Sequence, residues 1–249
     1  MDRLVLLGTG TCQLQEHRMA SSALVELGDL RLVFDFGRGV AHRLVGLGLA
    51  QDDVEHVVLS HFHPDHLSDL IPYVHAAAWS RIDPRRRDLH VYGPEGLDVQ
   101  LMRLLSLFGP RDLARPEHFR VVLHEVTDER LRIAGRGGTA HAFVYGDLPP
   151  AGNHGLRWTH GGTSVALTGD SSFHDQEVDF LRGVDLAVID SGHLDDDEIV
   201  ELAVRSGAAR LVCSHLYREL DAGALGECAA ARGYRGRIVV AEDLMSFEL

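Results

Sequence analysis

The chain has 249 residues, of which 45 % are hydrophobic and 24 % are charged. That composition is typical of a globular protein with a sizeable core, and no apolar run approaches the ~20 residues that a membrane-spanning helix needs. The formal net charge is −13, with 37 acidic residues against 24 arginines and no lysine, which argues against a general DNA-binding protein. The three cysteines lie far apart and the first residues do not resemble a signal peptide. We therefore expect one reduced, cytoplasmic domain spanning residues 1–249.

The N-terminal part of the chain predicts short strands. RLVLLG, SALVEL and LRLVFDFG are apolar runs separated by glycine-containing turns. A helix is predicted over Val40–Leu49, and the run HVVLS at 56–60 predicts a further strand. A histidine-rich loop follows that strand directly, and HLSDLIPYVHAAAW after it predicts one helix.

The rest of the chain mixes strands and helices. LHVYGPEG predicts a strand that ends in a turn, and GLDVQLMRLLSLFG predicts a helix. Several strand-like runs occupy the region from about 119 to 170, and the last third alternates strands with helices, as in VDLAVID, DDDEIVELAVRSG and ARLVCSH. This order predicts an α/β fold with two sheets stacked face to face and helices outside.

The segment HFHPDH, residues 61–66, predicts a metal site. His61 and His63 stand two residues apart on a loop and can turn toward one ion, while Asp65 and His66 are placed toward a second. Pro64 stiffens the turn between them and lowers the entropy cost of holding the ligands in place. Imidazole and carboxylate ligands suit Zn²⁺, Mn²⁺ or Fe²⁺. The chain contains 16 histidines in all, which favours the same interpretation.

HFHPDH resembles the HxHxDH signature of the metallo-β-lactamase fold superfamily. LLGTGTCQLQ, SSALVEL, LVFDFG, TSVALTGDSS, SGHLDDDEIVELA and ARLVCSH follow in an order similar to that of its ribonuclease Z-like branch, from Leu4 to His215. The resemblance implies a four-layer αββα sandwich of two mixed sheets. It also implies a bound pair of divalent ions, most often Zn²⁺, with Mn²⁺ or Fe²⁺ as alternatives.

The resemblance assigns the metal ligands residue by residue. Metal 1 would be held by His61, His63 and His154, metal 2 by Asp65, His66 and His215, and Asp170 would bridge the two ions.

The third histidine of metal 1 departs from the family pattern. His154 immediately precedes GLRW, closer than is usual, and a strict alignment places Gly146 at the ligand position. His141 and His160 are the alternatives. If none of the three binds, metal 1 is weakly held and a single-metal enzyme follows.

The function implied by the resemblance is hydrolysis by hydroxide bound to a dinuclear metal centre. Asp65 would orient the nucleophile, and His193 would reach the active site from outside the metal ligands to act on the phosphoryl group or the leaving alkoxide. A second interpretation of His193 is packing at a helix N-terminus. Asp35 would support the ligand loop, and Cys213, two residues before His215, is expected to be a buried strand cysteine.

The expected substrate is a phosphodiester, either the 3′ end of an RNA precursor or a small molecule. The alternatives are a hydrolase of carboxylic or sulfuric esters, thioesters or lactones, and an accessory binding protein with a weakened metal site. The acidic net charge and the lack of a recognisable basic insertion that could bind tRNA argue against an RNA substrate. Ribonuclease Z-like enzymes are often dimers, so the resemblance also implies a homodimer.

Overall fold

Two seven-stranded sheets form the centre of the fold. The computed structural model describes residues 2–107, 118–126, 130–133, 136–143 and 153–249. The first sheet has the order β14-β1-β2-β3-β4-β5-β6. Its strands are β1 (Arg3–Gly8), β2 (Ser22–Leu27), β3 (Leu30–Phe34), β4 (His56–Val58), β5 (Leu89–Gly93), β6 (Val121–Glu125) and β14 (Ser246–Glu248).

The second sheet has the order β13-β12-β11-β10-β9-β8-β7. Its strands are β7 (Arg130–Ile133), β8 (Arg136–Phe143), β9 (Asn153–His160), β10 (Thr163–Leu167), β11 (Leu186–Asp190), β12 (Arg210–Ser214) and β13 (Arg237–Val240). Both sheets are mixed, because β3 to β6 and β10 to β13 run parallel while the other neighbours are antiparallel.

Seven helices are present in the described ranges, together with a 3₁₀ turn at Gln51–Asp53. They are α1 (Val40–Gly46), α2 (Pro64–Leu67), α3 (Leu70–Trp79), α4 (Leu97–Leu107), α5 (Asp175–Phe180), α6 (Asp196–Ser206) and α7 (Ala222–Ala231). None of them is long and apolar enough to cross a membrane.

Three apolar clusters separate four layers. One lies between the first sheet and α1, α3 and α4, a second lies between the two sheets, and a third lies between the second sheet and α5 to α7. Alternate residues of a strand therefore pack into different apolar clusters. In β5, Val91 faces the helices and Tyr92 faces the second sheet. The predicted αββα sandwich is confirmed.

The helix after the histidine-rich loop differs from the prediction, because it is divided between α2 and α3. The break lies at Ser68–Asp69, where the Asp69 backbone N–H donates to the carbonyl of Phe36 at 3.0 Å. The Asp69 carboxylate accepts hydrogen bonds from the backbone N–H groups of Gly39 (2.9 Å) and Ala41 (3.2 Å). These contacts tie the break to the start of α1, which also ends earlier than predicted, at Gly46.

Three histidines lie side by side on neighbouring parallel strands of the first sheet. His56, His90 and His124 belong to β4, β5 and β6, on the face that carries Tyr92 toward the second sheet. His90 Nδ1 is 2.9 Å from His124 Nε2, and the rings of His56 and His90 stack with centroids 5.4 Å apart. Burial, together with the neighbouring His90, lowers the pKa of His56 to about 4.

Acid is expected to destabilise the fold through His56. Below pH 6.5 the unfolded chain protonates this imidazole while the folded chain does not, so stability falls as the pH drops from 6.5 toward 4. The loss amounts to roughly 2–3 kcal/mol. Urea unfolding of EDTA-treated protein at pH 7.0 and 4.5 should show a smaller acid loss in His56→Gln than in the wild type. His75→Gln, on an exposed position of α3, serves as the control; equal losses in all three proteins would contradict the assignment.

Candidate metal centre

The histidine-rich loop joins β4 to α2, and its shape follows from Pro64. Proline stands at the first position of α2, where its fixed φ suits a helix start and its missing N–H costs nothing. His63 before it is extended, with φ −65° and ψ 147°, and the His66 N–H donates to the His63 carbonyl at 2.9 Å. Within six residues the chain turns sharply and brings His61 and His66 together, with ring centroids 4.3 Å apart.

Asp35 supports this loop, as predicted. Its buried carboxylate accepts hydrogen bonds from the Ser60 N–H (2.7 Å) and the Ser60 hydroxyl (2.9 Å), and it contacts His66 Nδ1 at 2.8 Å. Asp35 has φ 60°, a left-handed conformation that costs a non-glycine residue free energy and is found most often at functional sites. The strained backbone therefore holds a carboxylate under the ligand loop.

Three histidines point their Nε2 atoms to one place. The Nδ1 atoms are engaged, in His61 with the Ser60 hydroxyl (3.0 Å), in His66 with Asp35 (2.8 Å) and in His215 with Asp190 (3.1 Å). A hydrogen bond at Nδ1 fixes the ring and leaves Nε2 as the free lone pair, which is the usual arrangement of metal-binding histidines. All three Nε2 atoms are buried without a hydrogen-bond partner.

The Asp170 carboxylate lies among these nitrogens. Its Oδ1 is 2.9 Å from His66 Nε2 and 3.3 Å from His215 Nε2, and its Oδ2 is 3.7 Å from His61 Nε2. Gly169 places it there, since a Cβ at this position, with φ 71°, would lie 2.6 Å from the Ser60 Cβ. Asp170 thus touches histidines of both predicted metal sites.

Asp65 completes the inner group of side chains. Its Oδ2 lies 3.6 Å from His215 Nε2 and 3.8 Å from His66 Nε2. In the part of the chain that the structure describes, three overlapping sets have ligand atoms within 4.8 Å of one another. They are the set His61, His66 and Asp170, the set Asp65, His66 and His215, and the set Asp170, Asp190, His193 and His215.

His63 and His154 belong to none of these three sets. The His63 ring is 4.4 Å from that of His61. His154, at the start of β9, donates its N–H to the Ser60 carbonyl at 2.8 Å, and its buried Nδ1 has no hydrogen-bond partner. His63 therefore lies beside His61 and His154 lies against Ser60, and their ligand roles at metal 1 stay predictions.

The alternatives to His154 as the third histidine of metal 1 are His160 and His141. His160 ends β9, roughly 20 Å along the strand from His154, and its Nε2 lies 2.6 Å from Asp2. It does not approach the cluster. The side chain of His141 and the whole of Gly146 lie outside the described residues.

Asp190 belongs to the cluster, although the sequence did not single it out. It ends β11, and its buried carboxylate accepts from the N–H groups of Ser171 (2.9 Å) and Gly192 (2.8 Å). The same carboxylate holds Nδ1 of His193 (2.6 Å) and of His215 (3.1 Å). The sequence offers only a local signal, an aspartate at the end of the apolar run VDLAVID, whereas the order of the parallel strands β10, β11 and β12 brings their carboxyl ends to one edge.

His193 lies beside the cluster. Its ring stacks on that of His215, with centroids 5.4 Å apart, and the side chain is 24 % exposed. The residue precedes α6, whose N-cap is Asp195 with a reciprocal contact to Glu198, so the helix start is completed without His193. Cys213, by contrast, packs in the core between the second sheet and the helices, where burial raises the pKa of its thiol to about 12.

The carboxylates of the cluster favour positive charge on the groups around them. Burial lowers the pKa of the His61 imidazole to about 2. Burial acts in the same direction on His66 and His215, but the carboxylates around them outweigh it and raise the pKa of both, that of His215 to about 10. Burial would raise the pKa of Asp170, yet the neighbouring imidazoles lower it well below its usual range.

These residues fit a divalent metal. Buried carboxylates attract either protons on the imidazoles or cations, and a metal binds the deprotonated ligands in competition with protons. The unpartnered Nε2 atoms and Asp170 Oδ1 are the donors that such an ion requires. A nitrogen and oxygen donor set without thiolate suits Zn²⁺, Mn²⁺ or Fe²⁺.

Comparison with known proteins agrees with the fold. The model of the beta-lactamase superfamily domain matches residues 33–219. The chain is 26 % identical over 278 residues to a protein named ribonuclease Z from Mycobacterium sp. (strain KMS), covering 100 % of this chain and 96 % of that protein.

Solved structures agree with the same architecture. The metallo-beta-lactamase fold protein YhfI from Bacillus subtilis has a TM-score of 0.80 at 22 % identity, covering 99 % of this chain and 98 % of that one. A diphosphatase of the PhnP family has a TM-score of 0.75 at 21 % identity, covering 100 % and 98 %.

Proposed function

We infer the function from one premise: the chain belongs to the beta-lactamase superfamily, whose domain model matches residues 33–219. On this premise we propose a metal-dependent hydrolase that cleaves phosphodiesters at a dinuclear centre. The observation that carries the proposal is the convergence of three unpartnered Nε2 atoms on the Asp170 carboxylate, at 2.9, 3.3 and 3.7 Å.

The proposed ligands are those that the sequence resemblance assigns. His61, His63 and His154 would hold one ion, Asp65, His66 and His215 the other, and Asp170 both. Zinc is the metal that we propose, because the donors are imidazole and carboxylate. Two ions held there would lower the pKa of a water molecule toward ~7 and polarise the phosphoryl group.

The remaining side chains have proposed roles around the reacting group. Asp65, whose carboxylate reaches the cluster from the ligand loop, would accept a proton from the nucleophile and orient it. Asp190 holds His193 through Nδ1 at 2.6 Å, which fixes the ring beside His215. His193 would donate a proton to the departing alkoxide.

The proposal covers two classes of phosphoryl substrate. A relative named ribonuclease Z supports cleavage at the 3′ end of an RNA precursor, and a structural neighbour named as a diphosphatase supports a small phosphoryl substrate. The net charge of −13 weakens long-range attraction of RNA and favours the small substrate.

A panel of substrates tests the proposal. Purified protein with added Zn²⁺ or Mn²⁺ should hydrolyse bis-p-nitrophenyl phosphate faster than a lactone or a thioester assayed in parallel. A precursor tRNA in the same panel separates the two phosphodiester classes. Hydrolysis of the carbon esters alone would contradict the phosphodiesterase assignment, because the same metal centre can attack either kind of electrophile.

We further propose a cytoplasmic homodimer, as the ribonuclease Z-like resemblance implies. Light scattering should then give twice the chain mass of 27.4 kDa. A single 27.4 kDa species at micromolar concentration would contradict the dimer.

A further inference from the structure

Tyr217 lies at the edge of the metal centre, two residues after His215. Its ring stands edge-on to the imidazoles of His193 and His215, with centroid distances of 5.6 and 5.5 Å and interplanar angles of 72° and 86°. The side chain is neither fully buried nor fully exposed. The ring therefore touches both the proposed proton donor and a proposed metal ligand.

Gly192 makes room for this ring. A Cβ at residue 192 would lie 2.6 Å from Tyr217 Cδ2 and 2.3 Å from the His215 carbonyl oxygen. A side chain at that position would push the ring away from the two imidazoles. The backbone between β11 and α6 is thus shaped to accept the tyrosine.

The Tyr217 hydroxyl reaches across to the other half of the sandwich. It lies 3.4 Å from Sγ of Cys12, an exposed residue in the loop between β1 and β2 of the first sheet. Tyr217 itself follows β12 of the second sheet. Since a thiol is a weak hydrogen-bond partner, a stronger acceptor such as a phosphoryl oxygen can replace it with little loss.

A phosphodiester near this cluster meets many carboxylates. Asp65, Asp170 and Asp190 all lie in it, and each repels an anionic oxygen that is not held by a cation or a hydrogen-bond donor. A phenol donates without adding charge, so it can stabilise a phosphoryl oxygen without competing with the metal ligands for their carboxylates.

We propose that the Tyr217 hydroxyl binds substrate directly, donating a hydrogen bond to one non-bridging oxygen of the scissile phosphodiester. This inference rests on the proposed phosphodiesterase function. It adds a substrate-binding group that follows β12 of the second sheet and whose hydroxyl faces the β1–β2 loop.

Tyr217→Phe tests the inference, because it removes the oxygen and keeps the ring against His193 and His215. For bis-p-nitrophenyl phosphate we expect kcat/KM to fall about 10- to 50-fold, the usual effect of losing a hydrogen bond to a charged group. Bound metal and Tm should stay unchanged. Cys12→Ala, which removes only the weak partner, is the matched control and should stay within about twofold of the wild type.

A second readout identifies the atom that Tyr217 contacts. The two diastereomers of a p-nitrophenyl nucleotide phosphorothioate place sulfur, a poor acceptor, at one or the other non-bridging position. The ratio of their rates should change about tenfold between wild type and Tyr217→Phe, and should not change in Cys12→Ala.

The outcomes separate the two proposals. A wild type that cleaves phosphodiesters while Tyr217→Phe matches it in rate and diastereomer ratio would overturn the role of Tyr217 alone. A lower metal content or a lower Tm in Tyr217→Phe would show that the residue has a structural role, and this result would also overturn its proposed role in substrate binding. A wild type inactive on every phosphodiester would overturn the proposed function and this inference with it.

Discussion

Replacing Asp170 by asparagine is expected to lower phosphodiester hydrolysis by at least about a thousandfold and to reduce bound metal below one ion per chain. The carboxylate contacts His61, His66 and His215 at 2.9 to 3.7 Å, so it lies between side chains proposed to bind different ions. Two cations a few ångströms apart repel each other strongly unless an anion lies between them, and a neutral amide removes that anion. Elemental analysis and the bis-p-nitrophenyl phosphate assay on the same preparation measure both effects.

The control for this variant is an exposed aspartate in a surface ion pair. Asp179→Asn removes the partner of Arg182 and should leave rate and metal content unchanged, because exposed pairs contribute little. Circular dichroism should show that Asp170→Asn keeps the fold. Full metal content with a rate within tenfold of the wild type would show that Asp170 does not bridge.

Replacing Asp190 by asparagine is expected to lower the rate by about a hundredfold and to weaken metal binding about 10- to 100-fold. One carboxylate oxygen holds Nδ1 of His193 and the other holds Nδ1 of His215. Asparagine keeps one acceptor and turns the other into an NH₂ donor, so at least one imidazole loses its partner and its fixed orientation. Competition against a chromogenic chelator measures the affinity, and steady-state kinetics measures the rate.

His193→Ala separates the two parts of that effect. It should lower turnover while the metal content stays at the wild-type level, because His193 lies outside the proposed ligands. If Asp190 acted only through His193, the variant that combines Asp190→Asn with His193→Ala would be no slower than Asp190→Asn alone. Both of these variants would then keep their metal. Metal loss in His193→Ala would instead make His193 a ligand, since its ligand atom lies within 4.8 Å of those of Asp170 and His215.

The ligand loop was predictable because its signal is local. HFHPDH places its ligands within six residues after a short strand, and Pro64 fixes the turn by its own geometry. Asp35 was predictable from the resemblance, and its hydrogen bonds to Ser60 and His66 agree with the supporting role.

Long-range features were harder to predict. Nothing in VDLAVID states that Asp190 will meet His193 and His215, because that meeting depends on the order of β10, β11 and β12 in the sheet. The break between α2 and α3 depends likewise on contacts of Asp69 with the start of α1, and helical periodicity continues through it. His154 lies against Ser60 through a pairing between segments almost a hundred residues apart.

Anomalous diffraction at the metal edge tests most directly whether side chains distant along the chain converge to hold two cations. Crystals of the purified protein should show two peaks per chain, each ~2.0–2.2 Å from its donor atoms. One peak should touch His61 and the other Asp65, His66 and His215, with Asp170 in contact with both. No peak among these residues in protein crystallised with excess Zn²⁺, or peaks only elsewhere on the chain, would contradict the claim.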